Sequence, residues 1–161
     1  MKKLVSIILP VFNGEQFLAQ SIDSCLKQSY CNIELIIVND ASTDGSYSII
    51  EKFANTDNRI RVINNANNRK LPASLNIGHR VANGSLMTWT SDDNIYTPNA
   101  IEEMVNGMGN NKADIVYSNF YHIDEHDTII GSYVYCKTRT ILLDNIVGAC
   151  FLYRKKVYEG L

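Results

Sequence analysis

Two periodicities alternate along the chain. Val5 to Leu9 is a short apolar run rich in β-branched residues and closed by Pro10, the pattern of a buried parallel strand. Asn13-Gly14 then turns the chain, and Leu18, Ile22, Cys25 and Leu26 recur at helical spacing through Gln28. A second strand runs from Ile33 to Asn39, after which Ser42 or Thr43 can cap a helix whose inner face is Ile49, Ile50 and Phe53. Ile60 to Ile63 is a third short strand, and Asn64 to Lys70 reads as an ordered polar loop. Pro72 suits the first turn of a helix carrying Leu75, Gly78, Val81 and Ala82, and Gly84 breaks it before the run Ser85-Leu86-Met87-Thr88-Trp89-Thr90.

Thr97 and Pro98 form a cap-plus-first-turn signal for a helix with Ile101, Met104, Val105 and Met108 inward. Ala113 to Asn119 is a fifth strand. The strict alternation stops there: Tyr121 to Tyr135, polar at its centre, reads as an antiparallel excursion, Ile146 to Tyr153 as a last strand and Lys155 to Leu161 as the first turns of a helix. Alternating strands and helices of this length predict an α/β fold, a three-layer α/β/α sandwich with a mostly parallel, Rossmann-like central sheet. No period of 20 to 50 residues marks a repeat protein.

Composition narrows the classes. A chain of 161 residues fits one domain, large enough to bury roughly 70% of the surface its unfolded form exposes. Fifteen Lys and Arg against seventeen Asp and Glu leave a net charge of −2, which gives no electrostatic case for nucleic acid as partner. Cys25, Cys31, Cys136 and Cys150 have no C-x-x-C spacing, so they read as reduced core thiols of a cytoplasmic protein. The apolar stretch before Pro10 falls far short of the roughly 20 residues that cross a bilayer. Neither a signal peptide nor a membrane span is expected.

The strand ending at Thr90 delivers two adjacent carboxylates, Asp92 and Asp93, to its carboxyl end. Ligands of open α/β sheets sit outside the carboxyl ends of the strands, and a carboxylate pair there suits a divalent ion holding phosphate oxygens. On an extended backbone the two cannot point the same way, so one would face the metal and the other a sugar hydroxyl or a basic group. The same residues also suit an Asp-Asp-Asn turn capping the helix near Pro98. A second acidic end, Asn39-Asp40, could offer Asp40 to a ring N–H of a nucleobase; capping is its bland role, and Ser42, Thr43 and Asp44 cover that more naturally. Arg69 and Lys70 could meet a diphosphate or simply be solvated. His122, Asp124 and His126 share one face of a strand, but Glu125 and Asp127 between and beyond them favour an exposed hairpin tip over a metal trio. Neither G-x-x-x-x-G-K-[ST] nor G-x-G-x-x-G follows any strand, which counts against P-loop and dinucleotide-binding proteins.

Three linked segments carry a resemblance. Val5-Ser6-Ile7-Ile8-Leu9-Pro10-Val11-Phe12-Asn13, then Glu34-Leu35-Ile36-Ile37-Val38-Asn39-Asp40-Ala41-Ser42-Thr43-Asp44-Gly45-Ser46, then Thr90-Ser91-Asp92-Asp93, in this order and spacing, resemble family 2 glycosyltransferases from Val5 to the end of the chain. The resemblance implies a GT-A fold, a nucleotide-diphospho-sugar donor of the UDP type, Mg²⁺ or Mn²⁺, and inverting transfer to an acceptor hydroxyl of a glycan or lipid-linked acceptor, as in polysaccharide biosynthesis. It also implies that Pro10, Phe12 and Asp40 hold the base, with Phe12 stacking on it. Arg69 or Lys70 would meet base or phosphate, Asp92 the ribose and Asp93 the metal. Thr90 stands where the family often has a further Asp, which removes one acidic contact.

In the family the general base follows the segment matched by Gly148 to Lys155, so it is expected beyond Leu161, and residues 1–161 read as a nucleotide-sugar-binding domain truncated on its acceptor side. The longer protein would be cytoplasmic, peripheral at the inner membrane face. Two rivals stand beside this reading: a nucleotide-binding or regulatory module without catalysis, and a nucleotidyltransferase. The second calls for a Gly-rich signature near the first strand, which Pro10-Val11-Phe12-Asn13-Gly14 does not supply.

Overall fold

The computed structural model describes residues 2–109, 113–133 and 150–160. Its elements follow one another as β1 (Val5–Val11), α1 (Leu18–Leu26), β2 (Ile33–Asn39), α2 (Ser46–Ala54), β3 (Ile60–Asn64), α3 (Lys70–Val81) and β4 (Leu86–Trp89). After these come α4 (Ala100–Gly107), β5 (Ile115–Tyr117), β6 (Phe120–Ile123), β7 (Ile129–Tyr133), β8 (Phe151–Arg154) and α5 (Lys155–Glu159). Six strands form one sheet in the order β3-β2-β1-β4-β8-β5. The pairs β1·β2, β1·β4 and β2·β3 are parallel, and β8 runs antiparallel to both β4 and β5. The mostly parallel sheet expected from the alternation is therefore present, with the antiparallel element inserted near one edge.

Strand period two explains the layers. Val5, Ile7, Leu9 and Val11 pack with Leu18, Ile22 and Cys25 of α1, Ile50 of α2 and Ile101 and Met104 of α4. Ile8, Ile36, Val38 and Met87 point the other way, toward Leu75 and Val81 of α3. With apolar cover on both faces, β1 and β2 can be apolar almost throughout, as buried parallel strands are.

Sequence and structure differ mainly at helix ends. Helix α1 stops at Leu26, because Gln28 is buried and used elsewhere: its Oε1 accepts the Ile101 N–H at the start of α4, and its Nε2 donates to the Thr97 and Ser24 carbonyls. Helix α4 consequently begins at Ala100, beyond the Thr97-Pro98 signal, with no cap from its own flanking side chain. Ser42 and Thr43 likewise do not cap α2, which starts at Ser46.

The excursion after β5 is the hairpin β6–β7. Asp124 closes its tip by accepting the His126 and Thr128 N–H groups, while Glu125 and His126 are exposed. Cys25 is buried and Cys150 half-buried, but Cys31 is exposed, so the expectation of core thiols fails there; it precedes the buried strand rather than lying in it. Cys136 and residues 146–149 of the expected last strand lie outside the described residues. Among those residues no helix is long and apolar enough to cross a membrane.

Gly84 joins α3 to β4 where two backbones nearly touch. Its N–H donates to Ser6 Oγ and to Glu34 Oε1, and a Cβ added there would lie 2.6 Å from Ser6 N and 2.8 Å from the Leu86 carbonyl oxygen. Backbone cannot yield as a flexible side chain would. Gly84→Ala should lower stability by about 2 kcal/mol, on the scale of losing a buried hydrogen-bond partner, as measured by urea denaturation. A loss near zero would show that the junction relaxes freely.

Candidate functional site

The carboxyl ends of β1, β2 and β4 open at one edge of the sheet, and the loops leaving β1 and β2 are fastened to each other. Asn13 N–H donates to Ser42 Oγ and Asn13 Oδ1 accepts the Thr43 N–H. Glu15 N–H donates to Asp44 Oδ2, and Glu15 Oε2 accepts the Gly45 N–H that precedes α2. Each loop thus satisfies the other's backbone, which a short connection cannot do for itself. Asn13 and Ala41 take left-handed backbone angles, with φ of 56° and 61°. Such conformations cost about 1–3 kcal/mol unless their surroundings over-determine them, as these hydrogen bonds do.

Asp40 follows β2 and is buried. Its Oδ1 accepts from Asn65 Nδ2 at 2.7 Å and from the Arg69 N–H at 2.8 Å, and its Oδ2 accepts from the Lys70 N–H at 2.8 Å. Capping is therefore part of its work, though for α3, some thirty residues away, and not for α2. Burial pushes the carboxyl up, but the hydrogen bonds from Arg69, Asn65, Ser74 and Lys70 outweigh it and hold the group below the usual carboxylate range.

Asp92 and Asp93 lie in a turn beyond β4, closed by the Asn94 N–H on the Ser91 carbonyl at 3.3 Å. They do not cap α4. Asp92 is half-buried with the Phe12 N–H near its carboxylate, whereas Asp93 is exposed. Burial and then the Asp93 charge push the Asp92 carboxyl upward. The pair lies in a turn and not on the extended backbone from which its divergence was expected.

A cleft of about 310 Å³ joins these parts, with Pro10, Phe12, Asp40, Lys70 and Asp92 all in its lining. Arg69 contributes its backbone to Asp40 but does not line the cleft, and Asp93 stands just outside, next to Asp92. Val11, Asn68, Leu71, Ser74 and Ser91 complete the wall and were not foreseen. Leu71 and Ser74 follow Lys70 on the first turns of α3, so helical spacing from Lys70 was the signal that could have found them. A larger cavity of about 430 Å³ lies on the other flank of α3 among His79, Trp89, Phe151, Tyr153 and Tyr158. Among the described residues it has no carboxylate in its wall, and the smaller cleft is the one that holds charged side chains.

Chemically the cleft combines an apolar rim, a cation and two carboxylates. Phe12 and Leu71, 48% and 49% exposed, supply the apolar part of its rim. Among the described residues, Lys70, Asp92 and Asp93 enter no ion pair within the protein. No group of three or more metal-binding side chains occurs among the described residues. Two adjacent carboxylates with like charge still fit a hard divalent ion that brings phosphate and water oxygens of its own.

The sequence profile described as Glycosyl transferase family 2 matches residues 6–161. The chain belongs to that family. GlyG, a glycosyltransferase of Streptococcus pneumoniae, is 37% identical over 127 residues, 79% of this family 2 chain and 42% of GlyG. A glycosyltransferase of Haemophilus influenzae is 38% identical over 121 residues, covering 75% of the chain and 48% of that relative. The chain thus spans less than half the length of these curated relatives.

Residues 1–349 of TarS from S. aureus, solved in complex with UDP, superpose with a TM-score of 0.78 at 19% identity over 99% of this chain and 48% of that one. The mannosyltransferase PcManGT of Pyrobaculum calidifontis, solved with GDP-Man and Mn²⁺, gives 0.76 at 17% identity over 99% and 47%. At these identities the likeness is one of fold, the GT-A arrangement.

A carboxyl held below its ordinary value of 3.8 in the folded state stabilises the fold fully above that value and loses its contribution as pH falls through the lower folded value. Asp40→Asn, which leaves an α3 N–H without its acceptor, should cost about 1–3 kcal/mol at pH 7. The gap to wild type should narrow as pH drops below about 4. Urea unfolding at several pH values measures both; a gap independent of pH would assign the acid limb to other carboxylates.

Proposed function

We propose that this family 2 domain binds a nucleoside-diphosphate sugar, a UDP-sugar, in the cleft between Phe12, Asp40, Lys70 and Asp92. The protein it belongs to would be an inverting transferase that moves the sugar to a hydroxyl of a glycan or lipid-linked acceptor. One observation carries the reading: a single cleft at the carboxyl ends of β1, β2 and β4 gathers an apolar rim, a lysine without an ion pair among the described residues and a carboxylate, the three things a nucleotide sugar needs. TarS was solved with UDP and PcManGT with GDP-Man and Mn²⁺, which supports a nucleotide donor and a divalent ion here as well.

In this proposal Phe12 and Pro10 stack against the base, and burying their exposed apolar surface drives its binding. Asp40 accepts a ring N–H of the base while its oxygens hold the start of α3. Lys70, with Arg69 beside it, attracts the diphosphate, and Asp92 accepts a ribose hydroxyl. Asp93, helped by Asp92, would hold Mg²⁺ or Mn²⁺, an ion that when bound neutralises charge on the departing diphosphate. Inversion also needs a base for the acceptor hydroxyl, a role we assign to none of the described residues.

Titration calorimetry tests the donor site. UDP should bind with Mn²⁺ and lose at least tenfold in affinity, roughly 1.4 kcal/mol, when the ion is chelated. Asp93→Asn should remove most of that metal-dependent gain at unchanged or slightly raised thermal stability, because it relieves repulsion from Asp92. Equal affinity with and without the ion, or no binding of any nucleoside diphosphate, would overturn the reading.

A further inference from the structure

The turn Asn13-Gly14 places its left-handed backbone on Asn13, at φ 56°, and among the described residues the only glycine with positive φ is Gly109. Gly14 is therefore not needed for its backbone freedom. It is needed for space. A Cβ added at Gly14 would lie 2.2 Å from Asp92 Oδ2, 2.6 Å from its Cγ and 2.9 Å from its Cβ. Carbon and oxygen do not approach that closely without a bond, so something must move.

Gly14 itself is poorly placed to retreat. Its N–H donates to Ser46 Oγ at 3.0 Å, and its carbonyl accepts the Phe17 and Leu18 N–H groups at 3.1 and 3.0 Å. Those bonds start α1 and tie the loop to α2. Asp92, half-buried in a turn closed by a single 3.3 Å backbone bond and without an ion pair among the described residues, is the freer partner.

We infer that Gly14 is a positioning residue for Asp92: its missing side chain lets the Asp92 carboxylate lie against the β1–α1 loop and line the cleft, while Asp93 is left outside. The geometry stands by itself, and its consequence for ligand binding rests on the nucleotide reading above. An alanine at position 14 would turn Asp92 outward beside Asp93. The cleft would lose a carboxylate although no cleft-lining residue had been replaced.

The test uses the whole chain as wild type, Gly14→Ala, Asp92→Ala and the double variant. Without ligand, amide NMR follows the shift and the exchange rate of the Phe12 proton, both sensitive to the Asp92 carboxylate near it. Gly14→Ala should reproduce Asp92→Ala in both, with the thermal midpoint near that of wild type. With Mn²⁺, UDP affinity by calorimetry should fall about tenfold in either single variant, the scale of one lost hydrogen bond to a charged group. The double variant should be no weaker than either, because both changes remove the same contact.

A Gly14→Ala protein that keeps the wild-type Phe12 amide and UDP affinity would overturn the inference. So would losses that multiply in the double variant. If the wild type binds no UDP while the Phe12 amide responds as expected, the positioning role stands and the nucleotide reading falls. Should Gly14→Ala fail to fold, Gly14→Ala combined with Asp92→Gly must restore folding; failure to do so would place the clash elsewhere and overturn the role.

Discussion

The hydrogen bonds from Asn65, Arg69 and Lys70 to the Asp40 carboxylate join the end of β2 to the start of α3, and the cleft takes its shape from that joint. A helix N-terminus carries N–H groups without acceptors and the positive end of the helix dipole, and a carboxylate meets both needs. Lys70 takes a left-handed backbone, φ 70°, at this junction. For a lysine that conformation costs about 1–3 kcal/mol, and the charge-assisted bonds to Asp40 are of the size to offset it. Without them α3 would have no reason to begin at Lys70, and neither Leu71 nor Ser74 would face the carboxyl end of β1.

The same device recurs. Glu15 serves the Gly45 N–H before α2, and Gln28 serves Ile101 at the head of α4. None of the three groups is adjacent in sequence to the helix it serves. Local cap signals therefore pointed to Ser42, Thr43 and Thr97, whose hydroxyls are engaged otherwise: Ser42 Oγ accepts from the Asn13 N–H, Thr43 Oγ1 donates to Asn13 Oδ1 and Thr97 Oγ1 donates to Asn99 Oδ1. Apolar periodicity, in contrast, read the strands and helix bodies well, since burial against a sheet depends on the pattern alone and not on which residue lies across it. Helix ends depended on partners that only the tertiary fold brings near.

Site residues divide along the same line. Asp40 and Asp92 were legible because parallel strands in one sheet must open their carboxyl ends on one edge, so acidic residues just past two strands fall near each other whatever the loops do. Lys70 was legible as a cation in a polar loop, but its distinction from Arg69 was not. Only the backbone turn at the start of α3 directs one residue into the cleft and leaves the other at its side. Gly14 carried no chemical signal at all. Its meaning is a missing atom, readable only once Asp92 is known to lie across from it.

The electrostatics of the cleft follow from this packing. Asp40 is buried and yet ionised with ease, since four donors surround it; Asp92 is only half-buried and yet pushed upward, by burial first and then by its neighbour Asp93. The difference is one of supply. Asp40 has backbone donors fixed by α3, whereas among the groups acting on Asp92 are two further carboxylates, Asp93 and Asp44, both raising it. A turn serving structure alone would gain by losing one of those charges. Keeping them beside a lysine that makes no ion pair among the described residues leaves an edge of the sheet with charge of both signs that those residues do not match, and such an edge is complementary to a ligand that brings an anion and a counter-cation together.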